Sequence, residues 1–375
     1  MDFINLLGSA WPENNFWSSL IKIFDVGSYA WTIIIFTIVL KLVISPLDFL
    51  QRHFTNKTTR AQAKLQPEIE KLKKRYGQNQ NLLYQKQNEL YKKHNMGMGG
   101  SCIVMLLYMG VTLSVFLTLF NSLKFISGYK IENQYKELQS TYYTSYEKEY
   151  YVDYLEINLD DFKAEEDEEA RQLMITNAET AKNNEEEVAS AKEQATYNAQ
   201  VKVVEKYKEI KDEWLWIKNI WLPDKATEKE IPTYDRFKSE TNFKTTKDEY
   251  NTVMKLLLDN YDNTNNTNGY YILSIIVVGV SFLSQLLIKK VSQPRGKNGE
   301  KVAVQQNGLA KVMMFVLPFA MLMFTISSSA VFALYIITNS LMSTVITPIT
   351  TIASNKILDE KDKKHQEEIK VAYRR

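Results

Sequence analysis

Apolar residues come in five runs along this chain, separated by polar stretches of very unequal length. The runs are Tyr29–Leu50, Cys102–Ile126, Tyr270–Ile288, Lys311–Ser327 and Ala330–Ile352. A helix rises about 1.5 Å per residue, so each run matches a hydrocarbon core roughly 30 Å thick, the fourth only just. In lipid every backbone polar group must be satisfied internally, which for runs this long means helices. The pattern predicts an all-α, polytopic membrane protein with a five-span helical core.

The polar stretches have patterns of their own. Phe16, Trp17, Leu20, Ile21 and Phe24 recur at helical spacing and predict an amphipathic helix on the outer membrane interface, with Trp11 and Trp17 at headgroup depth. Pro46 is expected to bend the end of the first span. Leu65, Ile69 and Leu72 then mark one helix, Gly77 to Gln80 a turn, and Leu82 to His94 a second helix, giving a helical hairpin. Gly97, Gly99 and Gly100 hinge it onto the second span. Residues Ala164 to Lys211 are rich in Ala, Glu, Lys and Gln and predict long exposed helices. The chain divides into an interfacial helix (1–27), a first span (28–50), a hairpin (51–100) and a second span (101–127). An insertion (128–269), a third span (270–290), a loop (291–308), the fourth and fifth spans (309–352) and a tail (353–375) follow.

Charge orients these pieces. Between Gln51 and Met98 there are 11 Lys/Arg against three Glu, and the loop Lys289–Lys301 is also basic. Between Ile131 and Glu213 there are 22 Asp/Glu against 10 Lys/Arg. The positive-inside rule places the basic hairpin and loop in the cytoplasm. Alternation then puts the N-terminus and the long insertion outside and the C-terminus inside. Met1–Ala10 lacks the basic start of a cleavable signal peptide, and the single Cys102 supports no disulfide framework.

One residue breaks the first run. Lys41 stands in mid-span, where a cation costs roughly 2.5–3.5 kcal/mol unless its surroundings are polar or wet. Thr37, Ser45 and Asp48 share its helix face, so the span has a lipid side and a hydrophilic side. With Asp48 near the cytoplasmic end, Lys41 reads as the only deep charge.

Several segments resemble the YidC/Oxa family of membrane protein insertases. The first is Lys41-Leu42-Val43-Ile44-Ser45-Pro46-Leu47. Leu65-Gln66-Pro67-Glu68-Ile69 with Leu72-Lys73-Lys74-Arg75-Tyr76, then Glu89-Leu90-Tyr91-Lys92-Lys93-His94 and Gly99-Gly100-Ser101-Cys102, are similar to the family's hairpin. Trp214-Leu215-Trp216-Ile217 with Pro223-Asp224, Gly279-Val280-Ser281 with Gln285, Met313-Met314 with Pro318, and Tyr335 follow in the family's order. The resemblance covers 16–126, 214–224 and 270–352, leaving 129–211 and 225–268 as insertions. Where the family usually has arginine this chain has Lys41, a point charge in place of a fork. Tyr108-Met109-Gly110, Ser329, Val331 and Ile336 depart as well.

The resemblance implies a fuel-free insertase of a bacterial plasma membrane that helps membrane proteins insert and fold through a hydrophilic groove open to cytoplasm and lipid. It acts alone or beside the Sec translocon. Spacing offers Lys41, Thr37, Ser45, Tyr108, Thr112, Ser281, Gln285, Tyr335 and Asn339 as the groove lining. Lys64, Pro67, Glu68, Lys73, Lys74, Arg75, Lys92 and Lys93 form the hairpin's working surface. The partners implied are nascent membrane proteins, the ribosome, the Sec translocon and membrane lipids, with no DNA, and no cofactor or metal. The competing reading is an ion-coupled small-solute transporter, which would normally show paired ionisable residues deep in the spans. An intramembrane protease is disfavoured because His53, His94 and His365 fall outside the apolar runs, and no P-loop or H-E-x-x-H motif occurs.

Overall fold

The computed structural model describes residues 16–93, 98–165, 167–263, 266–291 and 308–372. Trp11, His94, Gly97 and most of the loop 291–308 lie outside them, as do Arg374 and Arg375 at the end of the tail. The described chain is α-helical, with two isolated β-bridges, Trp214 to Ile217 and Lys229 to Thr267. It forms two compact units.

The first unit comprises Met1–Ser122, Leu273–Thr325 and Phe332–Arg375. Helix α1 (Phe16–Lys22) leads through a turn at Gly27 (φ 85°) into α2 (Tyr29–Tyr76). Trp17 and Ile21 are buried, and the Trp17 ring meets Phe36 edge-on at 6.2 Å. The Trp17 indole thus packs on the first span, and Phe16, Ile23 and Val26 are the exposed apolar side chains.

α2 is one helix of 48 residues, so the first span and the first arm of the hairpin are continuous through Pro46 and Pro67. A turn at Gly77 leads to α3 (Gln80–Lys93), which packs against α2. Basic residues close both arms, Lys73, Lys74 and Arg75 in one and Lys92 and Lys93 in the other, where cations suit the helix dipole. α4 (Met98–Tyr146) carries the second apolar run. α10 (Ile272–Val291), α11 (Gly308–Ser327) and α12 (Ala330–Ala372) carry the last three. The stretches 29–61, 103–154 and 330–364 are long and apolar enough to cross a membrane, while 272–288 and 318–327 are shorter apolar segments.

The residues expected to form a tail instead continue α12, and polar contacts explain why. Asn56 Nδ2 donates to Ser354 Oγ at 3.1 Å, and Arg60 reaches Asp359 Oδ1 at 2.7 Å and Asn355 Oδ1 at 3.0 Å. These partners recur at one-turn intervals on both helices, holding α2 and α12 side by side. Phe116, Phe120, Phe324 and Phe332 form an aromatic cluster at centroid distances of 4.8–6.1 Å.

The second unit comprises Leu123–Ile272 with Ile326–Val331. Beyond α4 come a π-helix (Glu147–Tyr154), α5 (Leu159–Ala164), α6 (Glu168–Ala181), α7 (Glu185–Ile210), α8 (Tyr234–Glu240) and α9 (Lys247–Asn263). Side chains of Asn158, Asp167, Asn184 and Thr233 cap the starts of α5, α6, α7 and α8. The tyrosines dense in the sequence form a ladder: Tyr142 stacks on Tyr146 at 6.0 Å, and Tyr150 on Tyr154 at 5.9 Å. The helices expected to be exposed do bury one face, through Ile175, Ala195, Ala199, Val203 and Tyr207, leaving the glutamate face in solvent.

Glu230 is buried in this unit with Tyr207 Oη donating to it at 3.3 Å. Burial pushes its carboxyl above the ordinary range, against the opposing pull of Lys211 and Lys218. The folded state therefore holds a proton that the unfolded chain releases, so stability falls as pH rises from the ordinary carboxylate range through the folded value. Glu230→Gln is expected to flatten this dependence, as measured by thermal unfolding between pH 4 and pH 8, and an unchanged profile would remove Glu230 as its source.

Candidate functional site

The first apolar helix has a face where polar groups are concentrated. Lys41 Nζ lies 2.9 Å from Asp48 Oδ2, with side chains only 10% and 6% exposed. The two residues are two turns apart, about 10 Å of helix rise, so the lysine lies extended along the helix in the C-terminal direction. Lys41 is thus not a lone deep charge. Arg52, four residues after Asp48, and Tyr108 on α4 both stand within electrostatic reach of the same carboxylate. The cluster carries two cations and one anion.

The hydroxyls on this face have local employment. Pro46 has no N–H to give the Leu42 carbonyl, and Ser45 Oγ donates to that carbonyl at 2.7 Å. Thr37 Oγ1 donates to the Ile33 carbonyl at 2.6 Å, and Thr112 Oγ1 to that of Tyr108 at 2.7 Å. Each saturates its own helix, with lone pairs left over for another donor.

The remaining residues chosen from spacing belong to α10 and α12 of the first unit. Tyr335 is buried and its ring lies 5.9 Å from that of Phe332. Ser281, Gln285 and Asn339 are half-buried. Among the described residues no hydrogen bond or ion pair joins any of these four to Lys41. The polar contact between α10 and α12 is made by Ser284, which donates to the Ser340 carbonyl at 3.3 Å and also meets Thr344 Oγ1.

On the hairpin, Pro67 and Glu68 are exposed, as are Lys73, Lys74, Arg75, Lys92 and Lys93; the Lys64 side chain lies outside what is described. Leu65 and Ile69 are buried, so α2 keeps an apolar stripe inside and a charged surface outside. No group of His, Cys, Asp and Glu that could hold a metal occurs among the described residues.

Comparison with known proteins now adds to this geometry. Residues 21–156 match the family described as 60Kd inner membrane protein. A membrane protein insertase YidC of Fusobacterium nucleatum is 34% identical over 91 residues, covering 24% of this chain and 42% of that protein. One of Clostridium tetani is 34% identical over 101 residues, covering 27% and 44%. One of Oleidesulfovibrio alaskensis is 36% identical over 98 residues, covering 26% and 18%. Each alignment thus spans less than half the length of its relative. No solved structure matches. The resemblance read from the motifs is borne out over residues 21–156, a segment that contains the Lys41–Asp48 pair and the whole hairpin.

Proposed function

We propose that this relative of the YidC/Oxa family, matched over residues 21–156, is a membrane protein insertase of the bacterial inner membrane. The observation that carries the reading is a buried, charged face on the first apolar helix, inside the segment that matches the family. Moving a client's polar N-terminal tail or short loop across lipid is costly because charged and backbone groups lose water. A groove that stays wet beside Lys41, Arg52 and Asp48 lowers that cost without fuel. Burial of the client's own apolar helix in lipid then drives the reaction.

In this scheme Tyr108 and Thr112 form the second wall, while Ser281, Gln285, Tyr335 and Asn339 line the far side. The basic ends of the hairpin face ribosomal RNA or anionic headgroups, and the Sec translocon is a working partner.

The Lys41–Asp48 pair also favours the second reading, because paired ionisable residues within a span are a feature of ion-coupled transporters. Reconstitution of the full chain in proteoliposomes separates the two. Insertion of a single-span client without nucleotide is the expected result. Failure to insert, together with ion-driven uptake of a small solute, would replace the insertase with a transporter.

A further inference from the structure

A cation recruited to attract acidic clients is expected to be available, yet Lys41 already has a carboxylate at 2.9 Å. Asp48 is itself buried, and a buried carboxylate cannot be left without a countercharge at small cost. Two further groups stand ready for it: Arg52 and Tyr108 both act electrostatically on Asp48. The arrangement is a three-charge set in which one anion has two cations within reach. If Lys41 turns to another carboxylate, Asp48 still has the longer-range attraction of Arg52 and the Tyr108 hydroxyl, which lowers the cost of the exchange.

We propose that Asp48 is the resting counter-ion of Lys41 and thereby sets which clients the groove accepts. A client carboxylate must displace Asp48 from Lys41 to be held. Two consequences follow from charge alone. A neutral client tail leaves the resting pair in place and passes without capture. An acidic tail exchanges with Asp48, is held while its helix leaves for lipid, and is released as Asp48 returns. Asp48 is a positioning residue in this scheme: it acts through Lys41 and need not touch the client. The inference rests on the insertase reading and adds a determinant of client choice to it.

The test uses full-length protein in proteoliposomes and a set of single-span clients whose translocated tails carry zero, one or two Asp residues. Cross-linking yield from a photoreactive group in the tail reads capture, and protease protection reads insertion. With Asp48→Asn, Lys41 lacks its competitor, and the ratio of acidic-tail to neutral-tail capture is expected to rise about fivefold or more. Release of acidic tails should slow in the same samples. Asp48→Glu should keep the wild-type ratio, because the countercharge is retained.

An Asp48→Asn protein that lowers capture of all clients equally, with the ratio unchanged, would overturn the proposal and leave Asp48 a merely structural group. Should that variant fail to assemble, Lys41→Gln/Asp48→Asn/Arg52→Gln replaces the whole charged cluster with neutral groups. The preference for acidic tails must then vanish, and its survival would equally overturn the proposal. Failure of the wild-type protein to insert any client would be a different result, directed at the insertase reading itself.

Discussion

Lys41→Leu is expected to destabilise the protein by about 3 kcal/mol and to abolish client insertion, because it removes the cation in contact with buried Asp48 and leaves that carboxylate only the longer-range attraction of Arg52 and the Tyr108 hydroxyl. Loss of activity in this variant alone would not separate folding from function. The pair supplies the control. In Lys41→Leu/Asp48→Leu both charges are gone and apolar side chains fill the site, a replacement that is often neutral for stability. Thermal unfolding in detergent should therefore return close to the wild-type midpoint, while insertion of a single-span client stays absent. Lys41→Arg should retain both, since the permanent cation is kept and the carboxylate stays paired. Recovery of insertion in the double leucine variant would show that the charges serve the fold and not the client.

The parts of this architecture that were legible in the sequence are those with a local signal. The apolar runs and the switch to a charged helical pattern after Leu50 are periodic, and periodicity survives without knowledge of packing. The helical hairpin was legible for the same reason, with its basic ends and its turn at Gly77. The face shared by Thr37, Lys41, Ser45 and Asp48 was also visible. Its central contact was not, because helix-surface rules pair residues three or four apart, and the lysine here spans seven. The role of Ser45 follows from its neighbour: a serine directly before a mid-helix proline can satisfy the carbonyl that the proline abandons.

Rotation was the harder quantity. α10 is apolar nearly all round, so no polar stripe fixes which side faces its neighbours, and Ser284 rather than Ser281 or Gln285 meets α12. Continuity of helices was also hidden. A change from apolar to charged composition looks like a domain boundary, yet α2, α4 and α12 run straight through such changes. A helix is indifferent to the solvent on its flanks provided its backbone bonds are made. What holds α12 helical past Ile352 is the row of contacts from Asn56 and Arg60, nearly 300 positions away in sequence.

The second unit depends on the same kind of distant pairing, and its most sensitive point is Asn268. This residue is fully buried; its Nδ2 donates to the carbonyls of Asn219 and Pro223, each at 2.9 Å, and its Oδ1 accepts from Asn219 N at 2.7 Å. Next to it Gly269 leaves no room for a side chain, since a Cβ there would lie 1.9 Å from Asp224 Oδ1. Asn268→Ala leaves the Asn219 N–H without a partner and takes one of two donors from the Asn219 and Pro223 carbonyls, which keep the N–H groups of Leu222 and Lys225; it is expected to destabilise the unit by roughly 2–4 kcal/mol. The loop it secures presents the Ile220 and Leu222 carbonyls to the N–H groups of Val331 and Ala330, at the start of α12. Amide exchange at Ala330 and Val331 should therefore accelerate in the variant, together with proteolysis between Asp212 and Asp224. Asn268→Asp keeps only the acceptor and should fare no better, because both donors are lost. Unchanged exchange at Ala330 in Asn268→Ala would mean that the loop is held by its other anchors, among them the Trp221 indole donating to Asp212 at 2.7 Å.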